Sequence, residues 1–437
     1  MQSFRQCWRL AWPLILSNLS VPLLGMVDTA VVGHLPQAHH LAAVALGATV
    51  LSVLYFLFGF LRMGTTGLTA QALGAGDQVE VRATLVRGLL VSMVLGLLLL
   101  VSVPLTIGAA RTLLAPTPAA EPGLAAYIAV RLCGAPAALG TFVLLGWFLG
   151  LQDARRPLAL MVLTNVLNAG LAILLVFGLK MEAAGVALAT AVAEWAGLGL
   201  GLALVRRHWR RLGGMPERQA ILVGTRFRRL LLVNRDLFLR SLLLEAVFLA
   251  MAGLGSRLGE VTLAANAVLM TLFTVSAYGL DGFAHATEAL VGRAVGERSI
   301  PGLRAAVKAG FASAALLAVV MSLGFALLGP LLVDLLTGLP EVRSAAREFL
   351  PYAALVPMVA VWAFLYDGLF FGATRTTELR NGMLAATVCF GLAASILLPA
   401  LGNHGLWLAF LIFLGARGLI LALIYWRAEG AVAFARG

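Results

Sequence analysis

One acid stands alone in the stretch "LGMVDTAVVGHL" (24–35). Asp28 lies in an apolar run that starts near Leu10 and carries no other formal charge before His34. A carboxylate at the centre of a membrane helix costs about 2.5–3.5 kcal/mol on insertion scales, so it usually faces a cavity or a partner. Chemically, such a group can take up and release a proton as its surroundings alternate between apolar and wet. Four more acids fall in later apolar runs: Glu245, Asp281, Glu288 and Asp367. Asp281 and Glu288 are two helical turns apart and share a face, with His285 between them in position to pair with either. Glu288 also has Arg293 as a candidate partner near the end of the same run.

Other chemistries lack their residues. There is no Walker A sequence, and no Ser–His or Cys–His arrangement has motif spacing. His34, His39 and His40 are not spaced as the i, i+4 pair of a helical zinc site. Cys7, Cys133 and Cys389 are far apart, with neither metal spacing nor a disulfide framework. The expectation is a non-enzyme with no metal and no cofactor beyond a coupling ion.

The elements that hold these acids follow from composition. Of 437 residues, 61% are hydrophobic and 12% charged, about half the charge of an ordinary soluble domain. Only a polytopic helical membrane protein fits. Breaks at Gly, Pro and charge clusters give twelve spans of roughly 20 apolar residues or more. They cover 8–33, 41–73, 83–108, 121–150, 157–179, 183–206, 231–256, 262–295, 302–330, 343–372, 379–400 and 404–426. No small-residue cleavage site follows the first run, which reads as a retained helix rather than a signal peptide.

The net charge of +12 reads as topology rather than nucleic-acid binding, because the basic residues sit in short stretches between spans. Arg5 and Arg9 precede the first span, Arg82 and Arg87 follow the second, and Arg155 and Arg156 the fourth. Arg293, Arg298 and Arg304 follow the eighth, and Arg375 and Arg380 the tenth. Alternate loops such as "GHLPQAHH" and "LGNHG" carry no Arg or Lys, while Arg111, Arg257, Arg343 and Arg347 run against the pattern. The majority places both termini in the cytoplasm.

The strongest basic cluster, "RRHWRRLGGMPERQAILVGTRFRR" (206–229), falls midway. It divides the chain into an N-terminal lobe at 1–206, a cytoplasmic linker at 207–230 expected against anionic headgroups, and a C-terminal lobe at 231–437. The lobes repeat. "LAAVALGATVLSVLYFLFGF" from Leu41 matches "LAANAVLMTLFTVSAYGLDG" from Leu263 at an offset of 222 (263 − 41), and "GLQDARRPLALM" from Gly150 matches "GATRTTELRNGM" from Gly372 in the same register. A parallel six-plus-six repeat implies two lobes about an axis along the membrane normal, with the substrate site between them and alternating access. At this offset Asp28 pairs with Ala250, so the acid is not part of the repeated packing.

Six ordered motifs now carry a resemblance: "WPLILSNLSVPLLGMVDTAVVGHL", "ALGAGD", "GLQDARRP", "NRDLFLRSLLLE", "YGLDGFAHATEALVG" and "YDGLFFGATRTTELRN". Together they resemble the MATE family, most of all its DinF-like branch, over essentially the whole chain. The resemblance implies a twelve-helix, two-lobed exporter of the bacterial inner membrane, driven by inward H⁺ or, in some members, Na⁺. It implies Asp28 as the coupling acid, with Asn165, Asn168 and Thr190 around it, and a first helix that bends at Pro13 and Pro22. Glu245 resembles the glutamate used by other branches. Many relatives carry an aspartate one turn after the Asn168 position, where this chain has Ala172. With one acid left there, H⁺ is favoured over Na⁺.

An apolar chamber with a few acids suits lipophilic cations, so organic cationic amphiphiles are the expected substrates and the bilayer the expected setting. Met26, Tyr55, Met63, Tyr278 and Phe283 are candidates for contact with them. The protein is expected to work as a monomer. Na⁺-coupled drug efflux and a lipid-linked precursor flippase are the rival readings; the flippase fits less well, because such proteins use a cationic cavity and often extra helices.

Overall fold

In a hydrocarbon layer there is no water to receive backbone hydrogen bonds, so an apolar chain must satisfy its N–H and C=O groups within each segment. The computed structural model describes residues 2–35, 37–209, 214–216 and 218–430, with side chains at 2, 21–24, 26, 29, 38 and 428–430 outside the description. Among the described residues every regular element is a helix. In chain order they are α1 (Gln2–Gly33), α2 (Ala38–Phe58), α3 (Phe60–Gly74), α4 (Gln78–Val101), α5 (Val103–Leu114), α6 (Glu121–Leu132), α7 (Ala135–Gly150) and α8 (Arg155–Ile173). A π-helical turn, Leu174–Gly178, extends α8. There follow α9 (Glu182–Trp209), α10 (Arg218–Ile221), α11 (Gly224–Ser256), α12 (Glu260–Gly296), α13 (Ile300–Leu336), α14 (Pro340–Gly372), α15 (Thr376–Leu401) and α16 (Asn403–Gly430).

Ten helical stretches are long and apolar enough to cross a bilayer, and α6 with α7 form one further span bent by 48°. The 32-residue α1 stands at the first expected span. This is an all-helical membrane protein. Some boundaries differ from the sequence reading. The third span breaks at Ser102, because Pro104 enters the first turn of α5, where its missing N–H leaves no intrahelical bond unmade.

Contacts gather the chain into two units. One comprises Met1–Ile15, Ala70–Gly76 and Leu232–Gly437, the other Leu16–Thr69 and Asp77–Leu231. Relative to halves taken at 1–206 and 231–437, two short stretches of the first half, 1–15 and 70–76, group with the second.

The 222-residue repeat is visible in the close packing of each unit. On α7, a side chain at Gly146 would overlap the Arg62 carbonyl; on α14, one at Gly368 would overlap the Ala284 carbonyl. Gly88 on α4 meets the Thr65 hydroxyl, and Gly310 on α13 meets that of Thr287. The helix caps repeat as well. Asp77 accepts from the Glu80 N–H at 2.8 Å to start α4, and Ser299 accepts from the Gly302 N–H at 3.1 Å to start α13, each satisfying a donor that a helix start leaves open. Buried tryptophans complete the two cores, Trp147 donating to the Val81 carbonyl and Trp407 to Asn266 Oδ1, each at 2.8 Å.

The basic middle segment is more than a headgroup-facing linker. Residues 210–213 and 217 lie outside the description, but the Gly214 carbonyl accepts from Arg82 Nη1 at 2.7 Å. Arg226 pairs with Glu80 and Asp77, and Glu80 also takes Arg87 at 2.6 Å. The segment therefore docks on α4, because α4 opens with two acids that need cations. Three of the arginines that run against the charge pattern have local counter-ions. Arg111 pairs with Glu121 at 2.9 Å, and Arg347 with Asp334 at 2.7 Å, which also lies 3.6 Å from Arg343.

A Gly368→Ala substitution drives a methyl group into backbone rather than into a side chain that can swing away. It should cost about 1–3 kcal/mol and lower the thermal midpoint of the detergent-solubilised protein. Gly391→Ala, with nothing within 4 Å, should leave the midpoint unchanged. Equal midpoints for the two variants would remove the close-packing argument.

Candidate functional site

Asp28 lies near the C-terminal end of α1 and is only partly exposed. Its Oδ1 faces the Nδ2 of Asn168 on α8 at 3.5 Å. Asn168 is itself oriented from the other side. The Thr190 hydroxyl, on α9, lies 3.2 Å from Asn168 Oδ1 and 3.1 Å from the Val186 carbonyl of its own helix. The hydroxyl's single hydrogen is shared between these two acceptors, and the Asn168 NH₂ is turned to the carboxylate. The chain Thr190–Asn168–Asp28 ties three helices of one unit together.

Asn165 has a different partner. One turn earlier on α8, its Nδ2 donates to Ser20 Oγ at 3.0 Å and to the Ser20 carbonyl at 3.3 Å. It holds α8 against α1 about two turns below Asp28. Ala172, one turn beyond Asn168, is fully buried. Pro13 lies within α1, while Pro22 and Met26 sit in that helix at positions whose side chains are outside the description.

The same unit holds a second acid that the sequence reading passed over. Glu194 lies on α9 one turn after Thr190, and its Oε1 accepts from Arg131 Nη1 at 2.8 Å. Both side chains are nearly buried, 15% and 10% exposed, which leaves little solvent to screen the pair. Arg131 ends α6 just before the bend into α7, and Gly134 at that bend has no side chain where the Glu194 carboxylate lies. The Tyr55 ring of α2 stands 5.6 Å from the guanidinium. Tyr127, one turn before Arg131, is buried within hydrogen-bonding reach of it. The signal was in the sequence, as a charge in each of two apolar spans, but only the fold brings the two together.

In the other unit the expected acids separate by partner. Asp367 on α14 is 4% exposed, and its Oδ2 accepts from two buried arginines. Arg240 of α11 pairs with it closely, and Arg417 of α16 donates at 2.6 Å. The Arg240 guanidinium stands 5.1 Å from the Phe371 ring, and that of Arg417 5.5 Å from the Phe413 ring. Asp367 was a candidate cavity acid; bracketed by two guanidiniums, it is not free to receive a cation. Asp281 is half-buried on α12. Glu245 is half-buried on α11. Glu288 is fully buried, its Oε2 3.8 Å from His285 Nδ1, and Arg293 Nε donates to Glu297 at 2.7 Å.

A further acid escaped the sequence reading here. Asp236, 2% exposed at the start of α11, accepts from Arg380 and Thr377 of α15 at 2.7 and 2.8 Å. Among the substrate-contact candidates, Tyr55 lies in the Arg131 cluster and Met63 is half-buried on α3. Phe283 is fully buried against Trp8, edge to face at 4.9 Å, which makes it a packing residue. His40 Nε2 lies 3.5 Å from Glu182.

Ionisable side chains paired inside an apolar helical bundle mark ion or substrate pathways, and their class is the membrane transporters. A family model described as MatE matches the chain twice, over residues 13–174 and again over 237–398. The chain belongs to the MatE family of multidrug efflux transporters. It is 45% identical over 425 residues to DNA damage-inducible protein F of Escherichia coli (strain K12), covering 97% of this chain and 92% of that one. The probable multidrug resistance protein NorM of Acinetobacter baylyi is 24% identical, with 97% and 96% covered. The fold matches an outward-facing multidrug resistance MATE family transporter with a TM-score of 0.90 at 20% identity, over 98% of this chain and 96% of the other.

Removing the Asp367 carboxylate leaves two buried cations facing one another. Asp367→Ala should destabilise the protein by about 3–5 kcal/mol, read as a lowered thermal midpoint in detergent. A midpoint equal to the unsubstituted protein's would show that the two arginines do not depend on it.

Proposed function

We propose that this protein exports organic compounds across the bacterial inner membrane in exchange for H⁺, with Asp28 as the group that carries the coupling proton. The observation that supports this most is the set of atoms around Asp28. Asn168 presents its NH₂ to the carboxylate while its oxygen is taken by Thr190, and Ala172 supplies no ligand. Na⁺ needs several oxygens at once; a proton needs one carboxylate oxygen. A site with one free acid and its nearest amide turned nitrogen-first suits the proton.

The coupling follows from linkage. A proton drives export only if it and the substrate favour different states of the same element. Neutralising Asp28 removes the charge that Asn168 faces on α8, and α1 is the element on which that change acts. In this reading the proton arrives from outside, α1 or the cavity beside it changes, and substrate leaves. Amphipathic organic cations are the proposed substrates, since the deprotonated Asp28 is a desolvated negative charge that attracts them. Both termini are assigned to the cytoplasm and the monomer is taken as the working unit.

Reconstituted into liposomes, the protein should expel a cationic dye under an imposed pH gradient. Asp28→Asn should reduce gradient-driven efflux at least tenfold, to the passive leak. Full efflux by this variant would overturn the assignment.

A further inference from the structure

The last turns of α3 and α12 cross at glycines. A side chain at Gly74 would overlap the Arg293 carbonyl and crowd the Glu297 N–H; one at Gly296 would overlap the Gln71 carbonyl and crowd the Ala75 N–H. All six residues belong to the same compact unit, which takes 70–76 from the first half of the chain. The contact is reciprocal. Gly74 and Gly296 are 222 positions apart (296 − 74), as are Gln71 and Arg293, and Ala75 and Glu297. Each helix end offers the other the same surface, the self-complementary contact that a two-fold relation produces. Small residues let helix backbones approach this closely in a membrane, and two backbones in contact leave no gap for a solute between them.

A side chain adds a second tie. Gln71 Nε2 donates to the Gly372 carbonyl at 2.9 Å and to Thr374 Oγ1 at 3.1 Å, at the end of α14. Gly372 is itself set against α12, where a side chain would overlap the Glu288 carbonyl. Three helix ends thus meet through Gly74, Gly296 and Gly372, with Gln71 reaching across. They lie at the end of the spans that carries Arg82, Arg87, Arg293, Arg298 and Arg304, the end assigned to the cytoplasm by its charge.

We propose that this crossing is a cytoplasmic latch: closed here, it bars the inner face, and it parts each time substrate enters from the cytoplasm. The inference rests on the reading of the protein as an exporter with alternating access, and it names the contact that opens. A latch must be tight yet able to part. Glycine contacts withdraw no large apolar side chain from a pocket when they separate. Gln71, Gly74 and Gly296 are half-buried, and Ala75 and Glu297 are exposed, so water can take over the two hydrogen bonds of Gln71 at small net cost. Separating the Asp367 triad, by contrast, would strand buried charges. The glycine crossing is the joint built to open.

The test uses the reconstituted full chain carrying Cys133→Ser and Cys389→Ser, which removes the exposed and half-buried thiols. Ala75→Cys and Glu297→Cys then place a pair at the rim of the crossing. A short bifunctional thiol reagent should join the pair and lower pH-driven dye efflux at least tenfold against the same protein before reaction. A monofunctional reagent should leave efflux in place. Gly296→Val wedges the ends apart and should also lower efflux at least tenfold, because the inner face no longer closes.

Full efflux by the cross-linked protein would overturn the proposal and leave the crossing a fixed joint, as would full efflux by Gly296→Val. A pair that the short reagent cannot join would overturn it too, since the ends would not be in contact. So would an equal loss with the monofunctional reagent, which traces the effect to bulk at the rim. If Gly296→Val does not fold, the cross-link decides alone, since it introduces no wedge. Unsubstituted protein that expels no dye under a pH gradient fails the export reading itself; protein that expels dye and ignores the cross-link fails only the latch.

Discussion

A charge inside an apolar bundle has to be answered by another charge or by a well-aimed dipole, because neither lipid nor a packed core will solvate it. That constraint organises this protein at every level. In one unit Glu194 answers Arg131 at 2.8 Å, and an amide aligned by Thr190 faces Asp28. In the other, Arg240 and Arg417 converge on one oxygen of Asp367. At the start of α4 Glu80 collects Arg87 and Arg226. The helices take the positions that allow these pairings, and the glycines at 134, 146 and 368 let backbones and carboxylates come close enough.

The two units answer the constraint differently. Asp28 faces a neutral amide, while Arg131 is held by Glu194. Around Asp367 two cations share one acid. The exchangeable proton proposed above would belong in the first arrangement. The second reads as a permanent brace across α11, α14 and α16.

Much of this was legible before the fold. Long apolar runs gave the helices, since hydrophobicity over about 20 residues needs no tertiary context, and the family followed from ordered motifs. Asp28, Asn168 and Thr190 were legible as a group only through resemblance; their alignment, with Asn165 turned to Ser20 instead, depends on helix rotation that periodicity does not fix. Arg131 and Glu194 went unnoticed although each is a charge in an apolar run. Their meaning is relational: 63 positions apart, they become one feature only when α6 and α9 pack. Asp367 was seen as an acid without its partners for the same reason, its two arginines lying 127 and 50 positions away. The middle basic segment was legible as a charge cluster, but its docking on α4 required knowing that Asp77 and Glu80 head that helix.

The glycine contacts shared by the two units carry a consequence for how such a chain can evolve. Gly146 and Gly368 hold the same backbone approach in both copies, and Gly88 and Gly310 the same approach to a threonine side chain. They form a common chassis that neither copy can lose without disturbing its own helix packing. The charged side chains ride on that chassis and are not bound by it: Asp28 has an alanine as its counterpart, and Arg131 and Glu194 face Ala353 and Ala416 at the same offset. A repeated bundle of this kind leaves the charged positions of each copy free to diverge, so a few side chains can be edited in one copy without rebuilding either bundle.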